Sequence, residues 1–346
     1  MSTEQPAAPT LEHVAAVAGV SRATVSRVVN GIRNVAPERR EAVERAIKAT
    51  GYVPNLAARS LVTKRTGSLA LVLSEPAKHV DDNSSGGIVS DPFFGRVISG
   101  VLGALRPHGL HPMLMVVDTD EDRDALVPRL RQDGIDGVLL ISLHPGDPLP
   151  LRLTEAGVPT ALFARPARPA PVSYVDVAHR DGAALAAAHL VERGCQRVAT
   201  ISGPLDAPAG LDRSAGFREA MARHGRPFVP SAEGNFTQLG GERAMERLLA
   251  EESGMDGLFV GNDLMALGAL GVLRDHGRRV PEDIAVVGFD DSPAALSCRP
   301  QLTTVRQPVE DMGAEMVRMV LAAIAEPGRG PTSVIFDPVL VVRRST

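Results

Sequence analysis

Two arginines, Arg22 and Arg27, lie near the start of a short amphipathic segment and have the chemistry to read DNA bases. A guanidinium group carries its N–H donors in a fixed fork, which matches the O6 and N7 acceptors of guanine in the major groove. Ala23 between them offers only an apolar contact, for example to a thymine methyl group. The two arginines are therefore candidates for base recognition, and ordinary solvated surface arginines are the alternative.

The residues around these arginines predict two helices joined by a tight turn. A first helix is indicated by apolar residues that recur at helical spacing, namely Leu11, Val14, Ala15 and Ala18. Gly19 suits the left-handed conformation that ends such a helix, and the Ser21 hydroxyl is a good N-cap for the next one. We expect the second helix to bury its valines, which are Val20, Val25 and Val29.

A third helix is predicted from Pro37 toward Gly51, because proline is favoured at the first helical position. Ala36, just before it, has no side-chain oxygen that could cap the helix. A short helix, a glycine turn and a capped second helix occur together in this segment. The combination predicts a helix-turn-helix that places its second helix in the major groove of duplex DNA.

The charge distribution supports this assignment. Residues 1–66 hold 10 Lys and Arg against 5 Asp and Glu, whereas the other 280 residues hold 27 against 36. The chain as a whole has a net charge of −4, so its positive potential is confined to the N-terminal part. A positive segment of this kind is attracted to the phosphate backbone of nucleic acids.

The remaining composition excludes several classes of protein. A length of 346 residues indicates two or three domains. Cys195 and Cys298 are far apart in the chain, which argues against a disulfide framework or a zinc site. The sequence shows no export signal and no apolar run long enough to cross a membrane, so we expect a cytoplasmic protein without a membrane role.

The N-terminal segment resembles the DNA-binding domain of the lactose-repressor (LacI/GalR) family of bacterial transcription regulators. Thr-Leu-x-x-Val-Ala-x-x-Ala-Gly-Val-Ser-x-x-Thr-Val-Ser-Arg-Val-x-Asn runs from Thr10 to Asn30, and Gly-Tyr-x-Pro-Asn-x-x-Ala-Arg-x-Leu runs from Gly51 to Leu61. The resemblance implies that Arg22, Ala23 and Arg27 read bases. It places the remaining DNA-contacting or helix-packing positions at Thr10, Ser21, Thr24, Ser26, Asn30 and Asn55.

Residues 54–61 resemble the hinge helix of that family. A helix this short is not stable alone in water, so we expect it to form only when two subunits pair over DNA. The resemblance implies that Leu61 inserts into a minor-groove step and that Ala58 lies close to the bases. A linker leucine that packs on the following domain is the alternative for Leu61.

From Gly67 onward, apolar strand-like runs alternate with amphipathic helical stretches. This alternation predicts an α/β domain with parallel sheets that helices cover on both faces. The predicted strands are residues 69–73, 113–117, 137–141, 160–163, 198–201, 257–260 and 284–288. The predicted helices are residues 97–105, 125–132, 182–192, 215–224, 240–249 and 264–276, and we expect Asp263 to cap the last of them.

Ligands of such sheets bind beyond the carboxyl ends of the strands, where this sequence places polar residues. These polar residues are Ser74, Ser142, His144, Arg165, Asn262, Asp263, Asp290 and Asp291. Gly203 occupies a further position just after a strand. No nucleophile elbow, P-loop or dinucleotide-binding loop accompanies the carboxylates. We therefore expect a binding cleft for a polar small molecule, with no catalytic residue, metal or cofactor.

Residues 67–346 resemble the effector domain of the same family, a two-lobed periplasmic-binding-protein type I fold. The resemblance rests on segments such as Arg213-x-x-Gly-Phe217, Gly261-Asn-Asp-Leu-Met-Ala-Leu-Gly268 and Gly288-Phe-Asp-Asp291. It implies that Arg213 and Asp290 bind vicinal hydroxyls of a sugar. It also implies effector contacts from Asn262 and Phe236 in the same lobe and from Gln307 near the crossover between the lobes. In the other lobe the implied contacts are Asp91, Phe93, Phe94, Ser142 and Arg165. Phe93 and Phe94 could instead pack between the lobes, and Arg165 could lie on a loop.

These observations together predict an effector-controlled repressor that binds a pseudo-palindromic operator as a homodimer. We expect a DNA-binding domain at residues 1–53, a hinge helix and linker at 54–66, and an effector-binding and dimerisation domain at 67–346. Residues 75–89 are expected to form an extended polar loop. The alternatives are a solute-binding protein without a DNA role, and a regulator whose effector is a corepressor or a nucleobase.

Overall fold

The computed structural model describes residues 9–29, 34–52, 66–74, 91–142, 145–252 and 254–346. Contacts divide these residues into two compact units. The first contains the residues up to Ser68 with Gly134–Asp136, and the second contains the remainder. Several sequence predictions lie outside the described residues: the hinge at 54–61 with Asn55, Ala58 and Leu61, the loop at 75–89, Asn30 and His144.

The described residues of the first unit form three helices, α1 (Leu11–Ala18), α2 (Arg22–Val29) and α3 (Pro37–Thr50). Gly19 has φ 66°, so the predicted left-handed turn between α1 and α2 is confirmed. A small core joins the three helices and consists of Val14, Ala15, Val25, Val28, Val43 and Ala46. The prediction for α2 was partly wrong, because Val28 is buried and Val29 is only half-buried.

The three helices differ in how they begin. The Thr10 hydroxyl accepts from the backbone N–H of His13 at 3.3 Å and caps α1. The Ser21 hydroxyl accepts from the N–H of Thr24 at 3.2 Å, which confirms the predicted cap of α2. At α3 the cap position is Ala36, which makes no side-chain cap hydrogen bond. Helix α3 therefore begins without a capping side chain, with Pro37 at its start and Glu38 in its first turn.

The second unit alternates strands and helices as the sequence predicted. Its strands are β1 (Leu69–Ser74), β2 (Pro112–Val117), β3 (Gly137–Ser142), β4 (Thr160–Phe163), β5 (Ser173–Val177), β6 (Val198–Ser202), β7 (Ser231–Glu233), β8 (Gly257–Val260), β9 (Ala285–Asp290), β10 (Thr303–Arg306), β11 (Ser333–Phe336) and β12 (Val339–Val341). Its α-helices are α4 (Pro92–Leu105), α5 (Asp120–Gln132), α6 (Leu149–Glu155), α7 (His179–Glu192), α8 (Pro208–Arg223), α9 (Gln238–Glu251), α10 (Asp263–Asp275), α11 (Pro293–Ser297) and α12 (Val309–Ala325).

The strands form two six-stranded sheets, one in each of two lobes. The first lobe has the order β11-β5-β4-β3-β1-β2 and the second has β12-β10-β9-β8-β6-β7. Neighbouring strands are parallel except for β12, which pairs antiparallel with β10. Helix α12 packs on α4 in the first lobe, and α7 packs on α8 and α9 on α10 in the second. The two-lobed α/β fold with parallel sheets is the one that the sequence predicted.

Within the described residues, the chain passes between the lobes three times. The connections are β5 to α7 at Val177–His179, β10 to α12 at Arg306–Val309, and β11 to β12 at Phe336–Val339. Crossings of this kind form a natural hinge, because only short segments need to change conformation when the lobes move. They also lie beside the strand ends where the candidate effector residues were expected.

Candidate functional site

Three of the predicted effector residues meet at the carboxyl ends of β9 and β10. The Asp290 carboxylate, at the end of β9, accepts from Arg213 Nη1 at 3.3 Å and from Gln307 Nε2 at 2.6 Å, both through Oδ1. Arg213 comes from α8 and also donates from Nη1 to the carbonyl of Gly261 at 2.6 Å. All three polar side chains are buried, so the strand ends enclose a small charged cluster.

Two atoms of this cluster have no partner among the described residues, Arg213 Nη2 and Asp290 Oδ2. Arg213 Nη2 is a hydrogen-bond donor with a fixed direction, and Asp290 Oδ2 is a hydrogen-bond acceptor beside it. A hydroxyl group both donates and accepts, so two adjacent hydroxyls can bond to this pair of atoms. The cluster is therefore suited to a polyol.

The electrostatics of the pair favour a ligand that brings hydrogen bonds. Burial lowers the pKa of Arg213 although Asp290 opposes that shift. Burial also raises the pKa of Asp290, against the effect of Arg213. Desolvation thus outweighs the attraction between the two charges, as is common for a buried ion pair. Hydroxyl groups of a ligand would replace part of the lost hydration.

Two aromatic rings flank the guanidinium group. Arg213 Cζ lies 3.9 Å from the centroid of the buried Phe289 ring and 5.8 Å from that of Phe236. Phe236 has φ 65°, and its ring covers Gly203 so closely that a Cβ there would lie 2.2 Å from the ring carbons. Phe236 is half-buried, so part of its ring remains available to a ligand.

The structure corrects the predicted roles of two neighbours. Asn262, not Asp263, caps α10, because its side-chain oxygen accepts from the N–H of Met265 at 2.9 Å. The Asn262 amide also donates to the carbonyl of Phe236 at 2.9 Å, so this residue supports Phe236. The carboxylate of Asp263 is completely buried and accepts from the Ser292 N–H at 2.7 Å and the Thr304 hydroxyl at 2.6 Å.

In the first lobe, the residues after β1 mainly build α4 and its packing. The Asp91 carboxylate caps α4 by accepting from the N–H of Phe93 at 2.9 Å. The Phe93 ring packs edge-on against Phe94 and Phe163, with centroids 5.4 and 5.5 Å apart. Phe94 is only 3% exposed and belongs to the first-lobe core, so its ring is unavailable to an effector. Phe93 is half-buried at the surface of that core.

Two further first-lobe candidates are engaged with carboxylates. The Ser142 hydroxyl donates to Asp147 at 2.5 Å, at the end of β3. Arg165, after β4, donates to Asp212 of α8 at 2.5 Å and therefore bridges the two lobes. The Arg165 side chain is 44% exposed, yet it has a defined ionic partner.

Two residues next to the cluster were not predicted from the sequence. Arg96 of α4 donates from Nη1 to the carbonyl of Asp290 at 2.9 Å and from Nη2 to that of Gln307 at 3.1 Å. His179, the first residue of α7, accepts from Arg213 Nε at 3.2 Å. Their partners lie 34 to 211 positions away in the chain, so no motif or spacing in the sequence could have indicated these contacts.

In the first unit, the predicted base-reading residues are accessible. Arg22, Ala23 and Arg27 are all exposed on α2, and Ser21 is exposed just before it. Arg22 Nε lies 3.0 Å from the carboxylate of Glu12, with both side chains largely exposed. An exposed pair of this kind is weak, so it leaves Arg22 able to exchange Glu12 for another partner. Thr24 and Ser26 are half-buried, and Thr10 is exposed.

The described residues include no membrane span, metal centre or disulfide. No helix among them is long and apolar enough to cross a membrane. They contain no group of three or more His, Cys, Asp or Glu side chains that could hold a metal ion. Cys195 and Cys298 are buried and are not bonded to each other.

Two family models match the chain. Residues 10–55 match the model described as bacterial regulatory proteins, lacI family. Residues 187–346 match the model described as periplasmic binding protein-like domain. The first match covers the three helices of the first unit, and the second begins within α7 and covers most of the second lobe together with α12 and β11.

Several characterised proteins are similar over nearly the whole chain. The HTH-type transcriptional regulator CelR of Thermobifida fusca is 45% identical over 341 residues, which are 97% of this chain and 98% of the relative. Catabolite control protein A of Priestia megaterium is 31% identical over 315 residues, 90% of this chain and 91% of the relative. The ribose operon repressor of Escherichia coli (strain K12) is 31% identical over 340 residues, 97% of this chain and 99% of the relative.

Two solved structures have the same architecture. A complex of the transcriptional regulator CelR with cellobiose superposes with a TM-score of 0.74 at 43% identity, covering 98% of this chain and 100% of that one. The lac repressor dimer bound to operator and the anti-inducer ONPF superposes with a TM-score of 0.77 at 27% identity, covering 98% and 99%.

Proposed function

The chain belongs to the LacI family of bacterial regulatory proteins, and on this premise we propose that it is a transcriptional repressor whose operator affinity is controlled by a sugar. The sugar binds between the two lobes of the second unit. The protein acts in the cytoplasm as a homodimer and catalyses no reaction. We retain the domain boundaries 1–53, 54–66 and 67–346 as part of this proposal.

The observation that carries the effector assignment is the cluster of Arg213, Asp290 and Gln307. Its buried ion pair leaves Arg213 Nη2 and Asp290 Oδ2 without partners among the described residues. Two adjacent sugar hydroxyls supply the complementary acceptor and donor. The half-buried ring of Phe236 offers an apolar face for the C–H groups of a pyranose ring.

We propose cellobiose, or a closely related glucose oligosaccharide, as the effector. The support is the CelR relative, which is 45% identical and whose 43% identical structure contains cellobiose. A disaccharide is long enough to contact the second-lobe cluster with one ring and to extend from it with the other. Asp91, Phe93, Ser142 and Arg165 are the first-lobe candidates for the second ring.

The DNA assignment rests on α2, which exposes Arg22, Ala23 and Arg27 together. Arg22 and Arg27 are proposed to pair with guanines, and Ala23 to contact a thymine methyl group. Ser21, Thr24, Ser26 and Asn30 are proposed to lie near phosphates, as are Thr10 and Asn55. Residues 54–61 are proposed to order as a hinge helix on DNA, with Ala58 beside the bases and Leu61 inserted in the minor groove.

Dimerisation is supported by an exposed apolar edge of the first lobe. Strand β2 is the last strand of its sheet, and Met113, Leu114 and Val116 on it are 46 to 53% exposed. An unpaired apolar edge strand is a common site of association between subunits. Two copies of α2 then read two half-sites, which explains a pseudo-palindromic operator.

A gel-shift titration tests the DNA assignment. The operator is first obtained by sequencing the genomic fragments that the purified protein retains. At fixed salt, Arg22→Ala and Leu61→Ala are expected to weaken operator binding by about 1–3 kcal/mol each. Arg45→Ala is the control, because Arg45 is an exposed arginine of α3 that pairs with Glu41. Unchanged affinity in both test variants would show that the assigned residues do not read the operator.

Calorimetry tests the effector assignment. Wild-type protein is titrated with cellobiose and a panel of other sugars, and then Arg213→Ala and Asp290→Ala are titrated with the best ligand. We expect both variants to lose at least about tenfold in affinity, because each change removes a charged group that is proposed to hydrogen-bond to a sugar hydroxyl. Asp275→Ala is the control, since Asp275 is an exposed aspartate at the end of α10. Binding that neither change affects places the effector elsewhere.

A further inference from the structure

His179 lies buried between the two lobes, at the point where the first connection enters α7. It is 7% exposed, and one residue, Ala178, separates it from the end of β5. Its Nε2 lies 3.2 Å from Oδ1 of Asp176, the fourth residue of β5. Its Nδ1 lies 3.2 Å from Nε of Arg213. One imidazole ring thus contacts a first-lobe carboxylate and the effector-binding guanidinium group.

The chemistry of the partners determines where the imidazole proton lies. Arg213 Nε–H can only donate, so Nδ1 of His179 must accept and carries no proton. The proton therefore lies on Nε2, the nitrogen that is 3.2 Å from Oδ1 of Asp176. His179 is the neutral Nε2–H tautomer, and a second proton on Nδ1 would meet the N–H of Arg213.

This contact completes the orientation of Arg213. Nε is engaged by His179, while Nη1 is engaged by the Gly261 carbonyl and the Asp290 carboxylate. With two of the three nitrogens held, the plane of the group is fixed and Nη2 is directed away from them. A planar fork whose orientation is fixed in advance loses less conformational freedom when it binds a diol, and this raises its affinity.

We propose that His179 is a positioning residue that holds Arg213 in its effector-binding orientation and links it through Asp176 to the first lobe. The proposal rests on the effector site proposed above. It adds that the site depends on the neutral state of one buried histidine. Acid should therefore weaken effector binding through a group that does not itself touch the effector.

The charged groups around His179 set the direction of its titration. Burial lowers the pKa of His179, and Arg213 lowers it further. Asp176 on β5 and Asp212 on α8 raise the pKa of His179. Two further charged groups lie near the partners of His179. Asp290 pairs with Arg213 at 3.3 Å, and Arg165 lies 3.9 Å from Asp176. The neutral ring is therefore the stable form at neutral pH, and protonation requires the contact with Arg213 to break.

The first test is independent of any effector. The full chain is labelled with ¹⁵N-histidine, and the tautomer of His179 is read by long-range proton–nitrogen NMR, with His179→Gln identifying the signal. At pH 7 we expect an unprotonated Nδ1 and a protonated Nε2. An imidazolium ring, or the Nδ1–H tautomer, would overturn the proposal.

The second test measures cellobiose affinity by calorimetry between pH 5.5 and 8. At pH 7.5, His179→Leu is expected to bind about tenfold more weakly, because it removes one charge-assisted hydrogen bond to Arg213. His179→Gln keeps an acceptor and a donor in one side chain, so we expect it to stay within about threefold of wild type. His189→Gln is the control, because His189 lies on the same helix and its side chain bonds to the Thr346 hydroxyl.

The pH profile separates positioning from a merely structural role. Protonation of Asp290 weakens binding in every variant at low pH, so the contribution of His179 is the difference between the wild-type and His179→Gln profiles. We expect wild type to lose more affinity on acidification than His179→Gln. If wild type and His179→Gln have identical pH profiles, and the His179 variants bind cellobiose with the same affinity as wild type, the proposal is overturned. If no sugar binds wild type, the effector assignment fails, while the tautomer measurement still decides the state of His179.

Discussion

Arg96 of the first lobe donates to the backbone carbonyl of Asp290 of the second lobe at 2.9 Å, across 194 positions of sequence. The same guanidinium group donates to the carbonyl of Gln307 and forms a two-point ion pair with Glu310 at 2.7 and 2.8 Å. It thus fixes the backbone of two candidate effector residues, Asp290 and Gln307, whose side chains bond to each other. Close packing of α4 on α12 permits this, since a Cβ at Gly100 would lie 2.1 Å from the carbonyl oxygen of Glu310.

Replacing Arg96 by alanine should destabilise the second unit and weaken effector binding. The change removes the ion pair with Glu310 and three hydrogen bonds to backbone carbonyls, those of Asp290, Asp291 and Gln307. We expect the free energy of unfolding to fall by about 1–3 kcal/mol and the effector affinity to fall several-fold. Urea denaturation followed by circular dichroism, and calorimetry with the effector, measure the two effects.

The matched control for this change is Arg318→Ala. Arg318 also pairs with a glutamate, Glu315, but its side chain is 59% exposed. The guanidinium end of this pair lies in solvent, although Glu315 is only 15% exposed, so the pair contributes about 0–1 kcal/mol and we expect little change in the unfolding free energy. Equal losses in the two variants would show that the bridge between the lobes adds nothing beyond an ordinary surface pair.

Gly203→Ala should impair the effector site without touching any of its polar groups. A Cβ at this position would lie 2.2 Å from the ring carbons of Phe236, so the ring has to move. Because Phe236 is proposed to cover the sugar, we expect the effector affinity to fall by about tenfold, as when a buried aromatic contact is lost. Calorimetry measures the effect, and an unchanged affinity would show that Phe236 is not part of the site.

Gly271→Ala is the control for that substitution. Gly271 lies inside α10, and a Cβ there would meet nothing within 4 Å. Alanine is the better helix former, so we expect the variant to gain up to about 1 kcal/mol of stability. Its effector affinity should match that of wild type.

The buried strands could be predicted from the sequence because each is an uninterrupted apolar run. Strand β1 and strand β8 are buried along their whole length and were found with nearly correct bounds. Strand β7 is short and largely exposed, while β5 and β10 include polar residues. Their place in the sheets depends on pairing with distant strands, which a local pattern does not show.

Helix α12 was not among the predicted helices, although its buried residues Met312, Met316, Met319 and Val320 recur at helical spacing. Gly313 near its start lowers the helical propensity of the segment. In the structure this glycine lets α12 approach α4, since a Cβ there would lie 2.7 Å from the carbonyl of Val97. The residue that weakens the local signal is thus the one that the tertiary contact requires.

The candidate site was predictable where its residues follow strands. Asp290 and Asn262 were found in this way, although only the structure shows that Asn262 caps α10 and supports Phe236. Arg96 and His179 lie at helix positions with no distinguishing neighbours in the sequence. Their roles come from partners brought together by folding, so they could be recognised only in three dimensions.

Ala36→Ser should stabilise the first unit. Ala36 holds the cap position of α3 with extended backbone angles and no side-chain hydrogen bond. A serine hydroxyl there can accept from a free N–H in the first turn, which is worth about 0.5–2 kcal/mol. Slower hydrogen exchange of the α3 amides in the full chain measures the gain.

Ala49→Ser provides the comparison, because it adds the same hydroxyl near the end of α3, at an exposed position. There the serine only lowers helical propensity, by less than about 1 kcal/mol. We therefore expect exchange in α3 to become slightly faster in this variant. Slower exchange in both would indicate that the hydroxyl acts through something other than capping.

Asp263→Asn should change how stability depends on pH. Burial and the neighbouring charge of Asp290 raise the pKa of Asp263 to about 8, despite hydrogen bonds from Thr304 and Ser292. A carboxyl whose pKa is raised in the folded protein binds a proton more tightly there than in the unfolded chain. Its contribution to stability is complete below the ordinary pKa near 3.8 and is lost as the pH rises toward 8.

We therefore expect wild type to lose unfolding free energy relative to Asp263→Asn between pH 5 and 8, with parallel curves above that range. Urea denaturation at a series of pH values measures the difference. Asp283→Asn is the control, because Arg279 lowers the pKa of the half-buried Asp283 to about 2, so its effect is constant above pH 5. If the wild-type and Asp263→Asn curves run parallel from pH 5 to 8, Asp263 is ionised throughout, and the hydrogen bonds from Ser292 and Thr304 outweigh its burial.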